Sequence, residues 1–430
     1  MTEHAGPDPA ADRTAFAWPP FTVARLPRIL FGPGRSAELP AVVQTFGKRA
    51  LVVLREGLPE QEGDWARLRR GLESAGIEMS VEGVSGEPSP ALVDAIVARA
   101  RGSGDGRGAG PAPIDVVVGI GGGSVLDTAK AVAGLLIPGN SVRDHLEGIG
   151  SELPYRGPAV PFVAVPTTAG TGSEATKNAV LSERGPGGFK KSFRDDALVA
   201  QVAIVDPDLL ATCPPDLIAA NGMDALTQLL EAYVSLRANP FTDALALSGL
   251  AAARDGLLLW HQEAAAGRGD GGAGTVAAAA RERMAYAALC SGICLAQAGL
   301  GAVHGLASPL GAQFPIPHGA ACGATLAAAT RVNVAALEAR DPGSLALSRY
   351  AAVAWLLTGR AVADDAATRA ALAPELESWR ARLGVPRLSA FGVAASDIPA
   401  VVAESRGSSM KTNPIVLTDE EIGSILRASL

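Results

Sequence analysis

Asp224 and Gln228 lie four residues apart in the stretch GMDALTQLLEAYVS, residues 222–235. In a helix that spacing puts both side chains on one face. A carboxylate followed four residues later by a histidine is a metal-ligand pair, but here the second position is a glutamine. From its residues alone the stretch is a metal site, an altered metal site or an ordinary amphipathic helix. The chain has five histidines. His4 sits in a polar lead-in, His145 in the polar stretch SVRDHLEG, and His261 follows Trp260 at an expected helix end. Solvated or capping roles suit these three. His304 and His318 differ, because both lie in the apolar, glycine-rich stretch GLGAVHGLASPLGAQFPIPHGAACG. A buried imidazole needs partners, and either histidine alone reads most simply as a hydrogen-bonded core residue.

A second group of residues has the chemistry of phosphate binding. Residues 114–130 read IDVVVGIGGGSVLDTAK, an apolar strand running into Gly121, Gly122, Gly123 and Ser124 and then into a helix. Glycines let the backbone approach a pyrophosphate, and a helix N-terminus offers free N–H groups. The pattern is neither the GxGxxG fingerprint nor a GKS/GKT loop, so a plain strand-to-helix turn competes with it. Residues 165–176, VPTTAGTGSEAT, shift the balance. They also follow a strand and carry five hydroxyl side chains and two glycines, more donors than a turn requires.

These loops need a sheet to hold them. Short apolar runs at 49–54, 114–120, 162–165 and 202–205 read as buried strands, with helices at 64–75 and 90–101 between them. Strands alternating with helices indicate a parallel sheet covered on both faces. Residues 102–113, rich in Gly and Pro, read as a loop. After about Asp208 long Ala/Leu-rich stretches take over, at 215–237, 240–266, 276–299 and 320–337. The expectation is a mobile lead over 1–20, an α/β dinucleotide-binding domain over 21–208 and an all-α domain over 209–430. A ligand in such an architecture sits between the domains.

Composition excludes several classes. A chain of 430 residues with 48% hydrophobic and 19% charged residues suits two globular domains. A net charge of -7 without a Lys/Arg run argues against a nucleic-acid partner. No apolar stretch reads as a membrane span, and the N-terminus does not read as a secretory signal. Cys213, Cys290, Cys294 and Cys322 form no CxxC pair, and Cys290 and Cys294 read as small buried thiols. A reducing cytoplasm is the simplest compartment.

Six linked motifs stand in order along the chain: GGGSVLDTAK, PTTAGTGSEAT, AIVDPDLL, GMDALTQLLEAYVS, ANPFTDALAL and GAVHGLASPLGAQFPIPHG. Together, over nearly the whole chain, they resemble the iron-containing (group III) alcohol dehydrogenase family, related in fold to glycerol dehydrogenase and dehydroquinate synthase. The resemblance implies an NAD(P) cofactor in the cleft, an aldehyde or alcohol substrate and a homodimer. It implies that Gly121, Gly122, Gly123 and Ser124 hold the pyrophosphate, and that Asp127, Thr167, Thr168 and Thr171 line the cofactor. Asn178 is implied near the nicotinamide, and Lys191 at the cofactor ribose, with Lys190 beside it as the alternative register. The implied metal ligands are Asp224, Gln228, His304 and His318, for Fe²⁺ or Zn²⁺.

The chain departs from the family pattern at informative places. Many members have a histidine where Gln228 stands and another where Ser308 stands. A glutamine oxygen is a weaker donor than imidazole for iron or zinc, which lowers the expected affinity. Proton delivery then falls to water, to the cofactor ribose or to a hydroxyl such as Ser308. NAD-preferring members often carry an aspartate after the second strand, where this chain has Arg55, which suits the 2′-phosphate of NADP. Ser89 replaces a common asparagine. The expected activity is hydride transfer between NAD(P)H and an aldehyde, with a divalent metal polarising the carbonyl. A metal-independent reductase resembling the maleylacetate reductases and a lapsed cofactor-binding protein are the alternatives. A lyase of the dehydroquinate synthase type is disfavoured, because no basic cluster lies between Asp224 and His318.

Overall fold

The computed structural model describes residues 20–58, 63–102, 113–184, 188–360 and 364–430. The expected lead, His4 within it, and nearly all of the expected 102–113 loop lie outside the described residues. The chain is an α/β domain built on a parallel sheet, followed by an all-α domain.

The strands are β1 (Arg28–Phe31), β2 (Arg49–Arg55), β3 (Glu78–Val84), β4 (Val116–Gly121), β5 (Phe162–Pro166), β6 (Asn178–Glu183), β7 (Phe189–Arg194) and β8 (Val202–Val205). Six of them form one parallel sheet in the order β1-β8-β5-β4-β2-β3. β4, β5 and β8 are buried along their whole length, as their unbroken apolar runs require. The runs expected at 49–54, 162–165 and 202–205 are strands, and the one expected at 114–120 is a strand from Val116 onward. β3 escaped the sequence reading because it is a largely exposed edge strand with an alternating, polar-rich sequence. β6 and β7 also escaped it. They pair antiparallel as a separate two-stranded ribbon that carries both Lys190 and Lys191.

Helices α1 (Leu39–Gln44), α2 (Gly63–Ser74), α3 (Pro90–Ala100) and α4 (Gly123–Leu135) belong to the α/β part. Ser89 serves as the N-cap of α3, accepting from Leu92 N. From β2 the chain turns outward to β3, then crosses back to β4 on the other side of β2. The strand order thus reverses between β2 and β4, and ligands of such sheets bind outside the carboxyl ends at that point. Both Arg55, at the end of β2, and Gly121, at the end of β4, lie there, since Leu54 pairs with Ile120.

The helical part comprises α5 (Pro215–Val234), α6 (Pro240–Ala265), α7 (Val276–Ala298), α8 (Ala302–Gln313), α9 (His318–Arg340), α10 (Leu345–Thr358), α11 (Asp365–Ala370), α12 (Leu372–Arg382), α13 (Ile398–Glu404) and α14 (Asp419–Ser429). α5 is its axis, and every residue from Gly222 to Val234 is buried. Helix α9 is long and apolar enough to cross a membrane by composition, which differs from the sequence expectation. It is a core helix, with 72% of its apolar window buried against protein. The two parts meet through close main-chain approaches. A Cβ on Gly292 of α7 would come within 2.1 Å of the Gly172 carbonyl oxygen, so only glycine fits.

Candidate metal and cofactor site

The glycine loop leaves β4 and enters α4 with Gly122 at the N-cap in extended backbone. No side chain caps this helix end, which leaves its first N–H groups free for an anion. The hydroxyl loop lies directly against it. Thr167 N donates to the Gly121 carbonyl at 3.0 Å. A Cβ on Gly122 would meet Thr168 at 3.2 Å, and one on Gly123 would meet Thr171 at 2.7 Å. Thr167, Thr168 and Thr171 are partly exposed, as side chains facing a ligand must be.

Lys130, in the middle of α4, holds the hydroxyl loop in place. Its ammonium is fully buried and donates to Ser173 O at 2.8 Å, Ser173 Oγ at 2.9 Å, Thr176 Oγ1 at 3.0 Å and Asn178 O at 2.7 Å. Burial lowers its pKa to about 8, opposed by Asp127 and Glu174. Asp127 has internal partners on both oxygens, Ser173 Oγ at 2.6 Å and Val180 N at 3.1 Å. Its carboxylate therefore ties α4 to the hydroxyl loop and to β6. Asn178 starts β6 and reaches this network through its main-chain carbonyl.

On the ribbon, Lys190 and Lys191 point to opposite faces, as successive strand residues do. Lys190 is the one turned towards the helical part. It pairs with Glu87 at 2.7 Å and lies along Gly311 of α8. Ser308 Oγ donates to its carbonyl at 3.3 Å. Lys191 lies on the side of Gly148 instead. Ser308 stands one turn after His304 on α8, just before Pro309. Arg55 is exposed at the switch point.

The second centre is made by three helices. Asp224 and Gln228 come from α5, His304 from α8, and His318 from the first turn of α9. His304 Nε2 lies 3.1 Å from Asp224 Oδ1, and His318 Nε2 lies 3.8 Å from the same oxygen. Cys322, one turn after His318, brings Sγ to 3.8 Å from His304 Nε2 and 4.0 Å from His318 Nε2. One ligand atom from each of Asp224, His304, His318 and Cys322 falls within 4.8 Å of all the others. Gln228 is 2% exposed and hydrogen-bonds Asp224, yet its Oε1 is buried without a partner. Such an orphaned acceptor beside convergent donors is what a cation pocket provides.

Glu231 completes the arrangement. Its Oε2 lies 2.7 Å from His304 Nδ1, and its Oε1 accepts from Val303 N at 2.7 Å. A histidine that donates its Nδ1 hydrogen to a carboxylate presents an oriented lone pair at Nε2, the usual support of a metal-bound histidine. A Cβ on Gly301 would sit 2.8 Å from Asn413 Oδ1 and 2.9 Å from Glu231 Oε1, so a side chain there would have to push these groups aside. Glu231 was readable as the i+7 partner of Asp224 on one helix face, and Cys322 as the i+4 partner of His318.

Charge in this cluster is strongly biased. Burial favours a neutral Asp224, but the imidazoles of His318 and His304 and the Gln228 amide outweigh it and hold the carboxyl at about 2. Burial also opposes a charged His304, yet Cys322, Asp224 and Glu231 raise its pKa well above the ordinary value. His318 is pushed down to about 4 by burial, with the charges of Lys190 and His304 adding to the effect. The pocket thus favours one positive charge between Asp224 and Glu231 and keeps a neutral His318 as a ready donor. The donor set and the orphaned oxygen fit a divalent metal. His145 and His261 do not belong to it. His145 hydrogen-bonds the Leu153 carbonyl and stacks on Phe193.

The two centres adjoin through α5. A Cβ on Gly170 of the hydroxyl loop would meet Asn221 at 2.7 Å, three residues before Asp224.

Comparison with known proteins gives a consistent result. Residues 27–207 match the model of iron-containing alcohol dehydrogenase, and residues 218–430 match the C-terminal model of the Fe-containing alcohol dehydrogenase family. The NAD-dependent methanol dehydrogenase of Bacillus methanolicus is 30% identical over 410 residues, 94% of this chain and 98% of that protein. Among solved structures, a 1,3-propanediol oxidoreductase is similar with a TM-score of 0.80 and 28% identity, covering 96% of this chain and 100% of that one. The sulfoacetaldehyde reductase of Bifidobacterium kashiwanohense, solved with NAD⁺, is similar with a TM-score of 0.78 and 27% identity, covering 95% and 98%.

Proposed function

Since this chain belongs to the iron-containing alcohol dehydrogenase family, we propose that it interconverts a small or medium aldehyde and its alcohol with NAD(P)H as the hydride partner. The observation that carries this reading is the convergence of Asp224, His304 and His318 on one pocket beside the glycine and hydroxyl loops. Asp224, His304 and His318 would hold a divalent metal, Fe²⁺ or Zn²⁺, with Gln228 beside them. When bound, that ion supplies a Lewis acid for the carbonyl oxygen, and the nicotinamide supplies the hydride.

The chain's own residues do the rest. Gly121, Gly122, Gly123 and Ser124, with the free N–H groups of α4, would take the pyrophosphate, and Thr167, Thr168 and Thr171 would line it. Asp127 and Lys130 position that loop. Asn178 lies at the nicotinamide end in this assignment. Lys190, with its pocket-facing ammonium, takes the cofactor-contacting role considered for Lys191. His318, whose side chain is 27% exposed, forms the open wall of the metal pocket on which substrate would arrive. Ser308 is the hydroxyl we assign to proton relay on α8. Arg55 favours NADP by suiting a 2′-phosphate at the switch point. A homodimer in a reducing cytoplasm is the setting we infer. Four free thiols support that compartment.

The test is turnover of an aldehyde panel with NADPH and NADH, before and after metal stripping. Loss of activity on chelation and recovery with Fe²⁺ or Zn²⁺ is expected, with NADPH the better partner. Full activity in stripped protein would overturn the metal role and favour a metal-independent reductase. Cofactor binding without any turnover would mark a lapsed enzyme.

A further inference from the structure

We propose that Cys322 is the fourth protein ligand of the metal, so that the centre is an Asp-His-His-Cys site selective for a thiophilic ion, Zn²⁺ before Fe²⁺ or Mn²⁺. This inference rests on the metal reading above and goes beyond it. Four observations lead to it. First, the thiol of Cys322 faces two imidazole nitrogens, His304 Nε2 at 3.8 Å and His318 Nε2 at 4.0 Å. The other core thiols differ. Cys294 Sγ is turned to the Thr242 carbonyl at 3.5 Å, and Cys213 Sγ to the Thr167 carbonyl at 3.3 Å.

Second, the distances suit one ion. With zinc–nitrogen and zinc–oxygen bonds of about 2.0 Å and a zinc–sulfur bond of about 2.3 Å, tetrahedral geometry sets neighbouring ligand atoms about 3.3 to 3.5 Å apart. Four of the six separations are 3.1, 3.8, 3.8 and 4.0 Å, and all six lie within 4.8 Å. Closing on an ion therefore needs movements of roughly an ångström or less.

Third, Gln228 is already committed. Its amide hydrogen-bonds the Asp224 carboxylate and so orients that ligand, while its orphaned Oε1 remains a weak neutral donor. The strong donor missing at 228 is present at 322, on the neighbouring helix. Fourth, Cys322 is fully buried, where an unligated thiolate would be costly but a metal-bound one is not. On binding, the thiol proton leaves to solvent and the sulfur donates its pair to the ion. With these four residues holding the ion, it would supply a Lewis acid to the substrate oxygen.

The experiment is spectroscopic and needs no turnover. The full-length chain, stripped of metal, is loaded with Co²⁺ alone. Visible d–d bands together with a near-ultraviolet thiolate-to-cobalt charge-transfer band are expected. The near-ultraviolet band should vanish in Cys322→Ser while visible bands remain, and persist in Gln228→Ala and Cys290→Ser. Zn²⁺ affinity in Cys322→Ser should fall by more than the roughly 10- to 100-fold that loss of an outer partner costs. Visible bands with no charge-transfer band in the unsubstituted chain overturn the role of Cys322 and leave the metal reading standing. A charge-transfer band that survives Cys322→Ser does the same. No Co²⁺ uptake at all overturns both. If Cys322→Ser fails to fold, the spectrum of the unsubstituted chain decides.

Discussion

At the carboxyl end of the central strand β4 the proposed cofactor surface is main chain: the N-terminal N–H groups of α4, brought forward by Gly121, Gly122 and Gly123 and walled by threonines. On α5, α8 and α9 the binding surface is side chain, four donors set on rigid helices with their partners buried around them. The first region has little room for an added carbon, because a Cβ on Gly121 would meet Val125 at 2.6 Å and one on Gly123 would meet Thr171 at 2.7 Å. The second depends on which donors stand on three helices rather than on one continuous loop. Main-chain sites are fixed by shape, side-chain sites by inventory, and the two should fail differently when disturbed.

The largest separation of the two is expected from Asp224→Asn. It removes the only carboxylate among the four convergent donors, the oxygen 3.1 Å from His304 Nε2. Turnover should fall by roughly 10²- to 10³-fold, as when one charge-stabilising group is lost from an active site. Metal content should fall with it, while NAD(P)H binding by fluorescence titration stays within a factor of a few. Equal loss of both would mean that the regions are not separable. Gly123→Val is the converse. Its side chain must enter space held by Thr171, so NAD(P)H binding should weaken about 10- to 100-fold, with metal content unchanged.

Glu231→Gln probes the support behind the second region. The ring of His304 keeps a hydrogen-bond partner but loses a charged one. Metal affinity should drop about 10- to 100-fold by competition with a chelator, without change in cofactor affinity.

The smallest effect concerns the hydroxyl loop. Burial raises the Glu174 carboxyl to about 7 from 4.5, so the folded chain holds a proton that the unfolded chain has released between those values. Its stabilising contribution is complete below pH 4.5 and lost as pH rises through 7. Glu174→Gln should flatten the thermal-stability profile across that window and raise stability at slightly alkaline pH by at most about 3 kcal/mol. An unchanged profile would remove Glu174 from the network.

The contrast also explains what could be read from the sequence. The main-chain region is written as contiguous motifs, glycines and hydroxyls directly after apolar strands, and these were legible from types and order alone. The sheet was legible where strands are buried and apolar. β3 and the β6–β7 ribbon were not, because partly exposed strands carry mixed residues. In the side-chain region Asp224, Gln228, His304 and His318 were legible as candidates, but their supports were not. Glu231 and Cys322 went unread, because an acid seven residues on and a thiol four residues on show what they face only once the helices are packed. Lys130 had no signal of its own, since a lysine in an alanine-rich helix is ordinarily solvated, and only the fold reveals its four oxygen partners. Lys190 could not be told from Lys191 until the ribbon fixed which face each occupies.

Glu231 has a further consequence, one for redesign. One of its oxygens fixes the start of α8 and the other fixes the ring of His304, so the jig that aligns the pocket stands apart from the atoms proposed to hold an ion. If the proposed ligand at 322 were exchanged, the alignment set by Glu231 would stay in place. The scaffold would in that sense be a socket whose alignment is set apart from its ligand set.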